Sequence, residues 1–159
     1  MHFTKNFTFF LAVFFFVSAS VFSQTVGLKY NFNTGDKELD ISLNNWNIQA
    51  KADLKNTITD LSVSYSIPEV KIEAYLKVEK MEPAEILMAA MIADVADKNV
   101  EEVVEEYQEN KDKGWGVIAK NMGIKPGSRE FHELKNKHKK EKTGKGKKGK
   151  HSKGKGKKD

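Results

Sequence analysis

Twelve lysines crowd residues 137–159, and only Glu141 and Asp159 oppose them. The run reads KHKKEKTGKGKKGKHSKGKGKKD. Its chemistry is that of a polycation, whose ammonium groups displace condensed counterions from a polyanion, so that affinity falls as salt rises. The candidate polyanion contacts are Lys139, Lys140, Lys142, Lys145, Lys147, Lys148, Lys150, Lys153, Lys155, Lys157 and Lys158. No aromatic residue is interleaved among them, which argues against stacking on single-stranded bases. No amphipathic pattern accompanies them, so the run should lie on an anionic surface without inserting. It holds no apolar side chain to offset its ordering entropy and is expected to be disordered. His138 and His151 stand isolated within it and fix no metal geometry.

Other residues that could do chemistry are fewer. Glu101, Glu102, Glu105, Glu106 and Glu109 cluster within nine residues. Paired catalytic carboxylates need unlike environments to separate their proton affinities, and helical spacing puts these on one solvated face. A calcium loop would need alternating oxygen ligands around a glycine turn. His132 lies between Glu130 and Glu133, in EFHEL, without the second histidine of a zinc-hydrolase helix. The chain has no cysteine, which excludes disulfides, thiolate metal sites and cysteine nucleophiles. No Ser-His-Asp arrangement or phosphate-cradling glycine loop is present. The expectation is a non-enzyme with no catalytic residue, no metal and no cofactor.

The net charge of +5 conceals a split. Residues 137–159 carry +10, residues 24–136 carry 14 basic and 20 acidic side chains, and Lys5 supplies the remainder. An acidic body with a strongly basic end suggests that the end has its own electrostatic role. The other end reads as an export signal. Lys5 precedes an apolar run, Phe7 to Val17, broken only by Thr8. That run is far shorter than the roughly 20 residues a bilayer span needs. Val21 and Ser23 suit the −3 and −1 positions of a cleavage site, so the mature chain would begin at Gln24, with cleavage after Ser20 as the alternative. The expected location is the periplasm or the extracellular space.

The elements that must carry these groups centre on Gly114 to His132, GWGVIAKNMGIKPGSREFH. Trp115, Ile118, Ala119 and Met122 recur at helical spacing. Gly123 stands where a helix-ending glycine belongs, and Ile124 can fold back on the last turn. Pro126 stops the helix from resuming, and Ser128 can cap a following helix that buries Phe131 and Leu134. Trp115 reads as a core anchor. Trp115, Gly116, Ile118, Ala119, Gly123, Pro126 and Phe131 form the structural module. The run resembles the C-terminal module of a group of uncharacterised exported bacterial proteins with a G-W-G-x-I-A-K-x-x-G-I-K-P-G-S-x-E-F-H pattern. The likeness extends back to about Leu39. It implies a helical fold and no particular chemistry.

Upstream, Gln24 to Lys37 reads as a flexible leader. Leu39, Leu43, Trp46, Ala50, Leu54, Ile58, Leu61 and Tyr65 make a continuous helical seam, which predicts a helix over about 44–65. The same stretch also alternates, so a small β-meander is the alternative. Pro68 and Pro83 each open a new helix. Ile86 to Ala93 is apolar throughout and predicts a central, surrounded helix. Asn99 and Glu102 form a capping-box pair before Val100, Val103, Val104 and Tyr107. Helix junctions near Tyr65–Pro68, Asp97–Val100 and Met122–Pro126 recur at a period near 30 residues, as in stacked helical hairpins.

The reading is therefore mainly α: a small array of about five short helices. The domains are a signal peptide over 1–23, a leader over 24–37, a helical domain over 38–136 and a disordered Lys/Gly-rich tail over 137–159. The expected function is that of an exported binding or structural protein of the cell envelope. Its helical domain would contact an unknown envelope protein. Its tail would engage lipopolysaccharide, acidic polysaccharide or extracellular DNA. The alternative is a nucleic-acid-binding protein that uses the tail and the helix-turn-helix-like module around Trp115.

Overall fold

The computed structural model describes residues 30–142. Among the described residues there are seven α-helices and no strand. Chain order is α1 (Lys37–Ala52), α2 (Leu54–Tyr65), α3 (Glu69–Lys77), α4 (Pro83–Ala96), α5 (Val100–Glu109), a 3-10 turn (Lys111–Lys113), α6 (Trp115–Asn121) and α7 (Arg129–Lys142). The expected signal peptide over 1–23 and the lysines beyond residue 142 lie outside the described residues. No helix among those described is long and apolar enough to cross a membrane.

The eight apolar residues Ile86 to Ala93 leave a helix with no polar face, so it must be enclosed. Every residue from Pro83 to Ala93 in α4 is buried, and α1, α2, α3, α5 and α7 pack around it. Pro83 occupies the first turn, where its missing N–H costs nothing. The Glu85 carboxylate accepts from the Glu82 N–H at 2.8 Å. α5 begins in the same way, with the Glu102 carboxylate accepting from the Asn99 N–H at 3.3 Å. This centre-and-ring arrangement differs from a linear stack, in which each hairpin touches only its neighbours.

The stretch 39–67 is helical, and the meander alternative is not adopted. It is two helices, however. Asp53 interrupts the seam at φ −133, ψ 61, and its carboxylate accepts from the Asn56 amide at 2.8 Å. Short polar side chains of this kind offer the backbone a local alternative to helix. That break divides the single helix expected over about 44–65, and the described residues hold seven helices where about five were expected. The three junctions read from sequence are all present. Ser66 and Asp97 take left-handed φ of 56° and 54°, Gly123 takes 94°, and Ile67 and Ile124 behind them are buried.

Two boundaries move. The leader does not stay peripheral from Tyr30 onward: Phe32 is fully buried against the core and Thr34 is 5% exposed. The tail boundary at 137 falls inside α7, which continues to Lys142. The expectation of disorder counted only apolar side chains. Leu134, His138 and Glu141 instead recur at helical spacing, and hydrogen bonding seats the last two against the domain.

Candidate functional site

The Trp115 module is a clamp for the segment that precedes α1. Residues 32–34 cross the start of α6 as a strip without regular secondary structure, with Asn33 in the left-handed region at φ 48°. The Trp115 N–H donates to the Phe32 carbonyl at 2.8 Å, and the Gly116 N–H donates to the Asn33 carbonyl at 2.9 Å. A Cβ at Gly116 would stand 2.9 Å from the Thr34 carbonyl oxygen, and one at Gly114 would stand 2.3 Å from the Asn33 Cβ. The glycines on either side of Trp115 therefore serve close backbone approach. Asn44 completes the clamp from α1, pairing its amide with both the N–H and the carbonyl of Tyr30 at 2.6 and 2.7 Å. Beneath the strip, Trp115 stacks on Tyr107 with centroids 4.6 Å apart and planes 12° from parallel.

Ile118 and Ala119 are buried in the core and Phe131 is half-buried against it. Gly123 ends α6 in a Schellman motif: the Ile124 N–H bonds the Ala119 carbonyl at 2.8 Å and the Gly123 N–H bonds that of Lys120 at 3.0 Å. Pro126 is exposed in the following turn. The Ser128 hydroxyl accepts from the Phe131 N–H at 3.2 Å, capping α7. The module's residues thus come together in one place, as structure. Of the polar side chains on α6, Lys120 is exposed while the Asn121 amide is held by the Glu106 carboxylate.

Beneath the clamp lies a polar centre that sequence reasoning missed. Glu85 is 1% exposed, in the middle of the bundle. Its carboxylate accepts from the Tyr107 hydroxyl as well as from the Glu82 N–H. Burial, and then the bond to Glu85, push the Tyr107 hydroxyl well above the usual phenol range. Burial and Glu85 also raise Tyr30, to about 12. Glu85 and Tyr107 are both almost fully buried, at 1% and 2% exposure, and their bond ties α4 to α5 within the core. The one sequence signal for it was a glutamate opening an otherwise apolar helix.

The polyanion candidates divide three ways. Lys139 and Lys140 are exposed on the last turns of α7. Lys142 ends that helix. Lys145, Lys147, Lys148, Lys150, Lys153, Lys155, Lys157 and Lys158 lie outside the described residues. The residues next to them have structural work. Lys137 pairs with Asp94 of α4, and Lys135 pairs with Asp36, the N-cap of α1. The Lys135 bond holds Asp36 below its ordinary carboxylate range, and Asp36 in turn raises Lys135. His138, read as isolated, is 2% exposed with Nε2 2.8 Å from the Ser42 hydroxyl. The Tyr65 hydroxyl donates to Glu141 at 3.1 Å, and burial raises that carboxyl despite the bond. α7 is thus bolted to α1, α2 and α4 before its exposed lysines begin.

Three of the five glutamates of α5 have partners within the domain, while Glu105 and Glu109 are exposed. Glu101 pairs with Lys71, Glu102 with Lys98, and Glu106 with the amides of Asn110 and Asn121. Among the described residues no three His, Cys, Asp or Glu side chains converge as a metal site requires. Two concavities flank α2 and α3: a polar cleft beside Tyr65 and Asp97, and a more apolar groove of about 650 Å³ over Leu54, Ile58 and Leu76. The chain matches no family model, no curated protein and no solved structure.

Proposed function

We propose that this is an exported, non-enzymatic binding or structural protein of the cell envelope, in which a helical domain engages a protein partner and a polycationic end engages anionic surfaces. The observation that carries the reading is the mounting of α7. Four of its residues (Lys135, Lys137, His138 and Glu141) anchor it across three helices, and the lysine-rich sequence continues from its end. A positive segment carried by a rigid strut on an acidic body is suited to tethering. The surface it meets is lipopolysaccharide, acidic polysaccharide or extracellular DNA, which share dense negative charge. The resemblance of the Gly114–His132 run to exported bacterial proteins supports the location.

The test is binding to each polyanion across a salt series, with the chain intact and with residues 143–159 removed. The cut falls after Lys142 because residues 137–142 belong to the fold. Eight lysines lie beyond the cut. Contacts of that number lose about 10³ to 10⁵ in affinity for duplex DNA between roughly 50 and 200 mM salt. The expected result is a steep loss with salt in the intact chain and little binding in the truncated one. Equal binding by both forms would sink the proposal.

A further inference from the structure

The outer face of α5 carries carboxylates at a regular pitch. Glu101, Glu105 and Glu109 follow one another every four residues, about 6 Å apart along the helix. Asp97 precedes them at the α4–α5 junction. Glu79, just past α3, adjoins them, since the Gln108 amide donates to the Glu79 carbonyl at 3.4 Å. Part of the surrounding charge is cancelled: Lys71 pairs with Glu101, Lys98 with Glu102 and Lys77 with Glu73. Glu79, Asp97, Glu105 and Glu109 are exposed and form no ion pair among the described residues. Against these four stands Lys80, next to Glu79 in the chain. The patch also has a polar floor. Tyr75 is 7% exposed, and its hydroxyl is buried without a hydrogen-bond partner among the described residues. Burial, and then the charges of Glu101, Glu79 and Glu105, raise that hydroxyl to about 12, so the phenol is aimed among these carboxylates. Its oxygen keeps accepting lone pairs that an ammonium group satisfies and a carboxylate does not.

We infer that residues 143–159 dock on this patch within the same molecule, so that the domain holds its own polycation until a polyanion displaces it. The place where α7 ends supports this. Glu141, one residue before that end, accepts from Tyr65, and Tyr65 lines a polar cleft of about 480 Å³ that Asp97 and Glu101 also line. The lysine-rich run therefore starts one cleft away from the start of α5. Residues 143–159 span up to about 56 Å when extended, and α5, with 10 residues, is about 15 Å long. The pitch of the charges supports it as well. Lys145 and Lys147 alternate with glycine, as do Lys153, Lys155 and Lys157. An extended chain puts alternate side chains on one side, about 6.6 Å apart, close to the pitch of the carboxylates. The glycines between them bring no side chain against the helix. Each exposed pair is weak, but the covalent tether keeps the lysines at an effective concentration on the order of millimolar. Folding gains little, because the unfolded chain carries the same opposite charges. This docking goes beyond the polyanion reading and stands without it.

The experiment places a nitroxide in the lysine-rich run. The chain has no cysteine, so Ser152→Cys supplies a single thiol and leaves every lysine in place. In the isotope-labelled full chain at about 0.1 M salt, where exposed charges interact over about 10 Å, the nitroxide is expected to broaden the amide resonances of residues 97–109 and of Glu79 more than those of α1. The broadening should vanish at about 1 M salt, where that range falls to about 3 Å. Mixing nitroxide-bearing chain with separately isotope-labelled chain should give none. Broadening spread evenly over the domain, or present in the mixture, would overturn the inference. Duplex DNA binding is the second arm. Glu79→Gln, Glu105→Gln and Glu109→Gln together are expected to tighten it roughly three- to ten-fold at low salt, as weak exposed pairs are lost, with the gain shrinking as salt rises. A control that removes the same charge at Glu38, Asp53 and Glu133, exposed on other elements, should gain less than about two-fold. Equal gains in the two variants would overturn the docking. DNA binding absent from every form, with the broadening intact, would remove the tether reading and leave the docking in place.

Discussion

A methyl group on Gly114 or Gly116 has nowhere to go, because the strip at residues 32–34 already occupies the space. At Gly116 the clash is with the Thr34 backbone at 2.9 Å, and backbone yields less readily than a flexible side chain. Gly116→Ala should therefore cost about 1–3 kcal/mol, the usual penalty for overpacking. Gly114→Ala should cost more, since its φ of 82° adds left-handed strain to a 2.3 Å contact. Denaturant unfolding checks this, with the midpoint falling at constant slope; midpoints unchanged in both variants would show that the strip is not clamped. A sequence reader sees two glycines beside a tryptophan and infers a turn. The reason for them is Asn33 and Thr34, some 80 residues earlier, and nothing local reveals it. Glu85 is hidden in the same way, since its donor Tyr107 lies 22 positions away. By contrast the Ser128 cap, the Asn99–Glu102 pair and the Gly123 ending are legible, because each is completed within a few residues of itself.

At the scale of elements the test case is α7. Removal of residues 143–159 should leave the unfolding midpoint unchanged within error, because the anchors of α7 at Lys135, Lys137, His138 and Glu141 all precede the cut. Removal from residue 137 onward deletes the Lys137–Asp94 pair, buried His138 and the Tyr65–Glu141 bond together. It also leaves Tyr65 and Ser42 without their partners. A loss of about 2 kcal/mol or more is expected, the scale of breaking a partly buried polar network. Thermal melts of the two truncations decide the matter, and equal stability would put the end of the fold back at residue 136. Composition obscured this boundary. Lysine and glycine dominate from residue 137, yet Leu134, His138 and Glu141 keep helical spacing through the first turn and a half of that run. Periodicity outranks composition where the two disagree over a short segment. The same rule explains Phe32, one of three side chains that alternate inward, with Tyr30 and Thr34, in a stretch whose asparagines and glycine read as a leader. It fails at Asp53, where an unbroken apolar period hides a break made by a polar side chain.

The molecule as a whole keeps its four tyrosines protonated. They are all the tyrosines of the chain, and burial is the first cause of elevation in each. Tyr30 and Tyr75 are raised to about 12. Tyr65 and Tyr107 are raised further, by Glu141 and Glu85 in addition to burial. An unfolded chain releases these protons near pH 10. Above that pH the unfolded state binds fewer protons than the folded one, so stability declines as pH rises and is lost through the folded values. The two most buried, Tyr75 and Tyr107, should steepen the decline by about 3 kcal/mol per pH unit beyond pH 10. Set against a typical stability of about 5–15 kcal/mol, that predicts cooperative unfolding in strong alkali. Tyrosinate absorbance and loss of helical circular dichroism should appear together in a single transition. Tyr75→Phe tests the cause. The Tyr75 hydroxyl is buried without a hydrogen-bond partner among the described residues, so its removal should be neutral or slightly stabilising at pH 7 and should move the alkaline midpoint upward. Tyrosinate forming near pH 10 while the helices persist would mean that the phenols are open to water, and the bundle would then be looser around α4 than its packing requires.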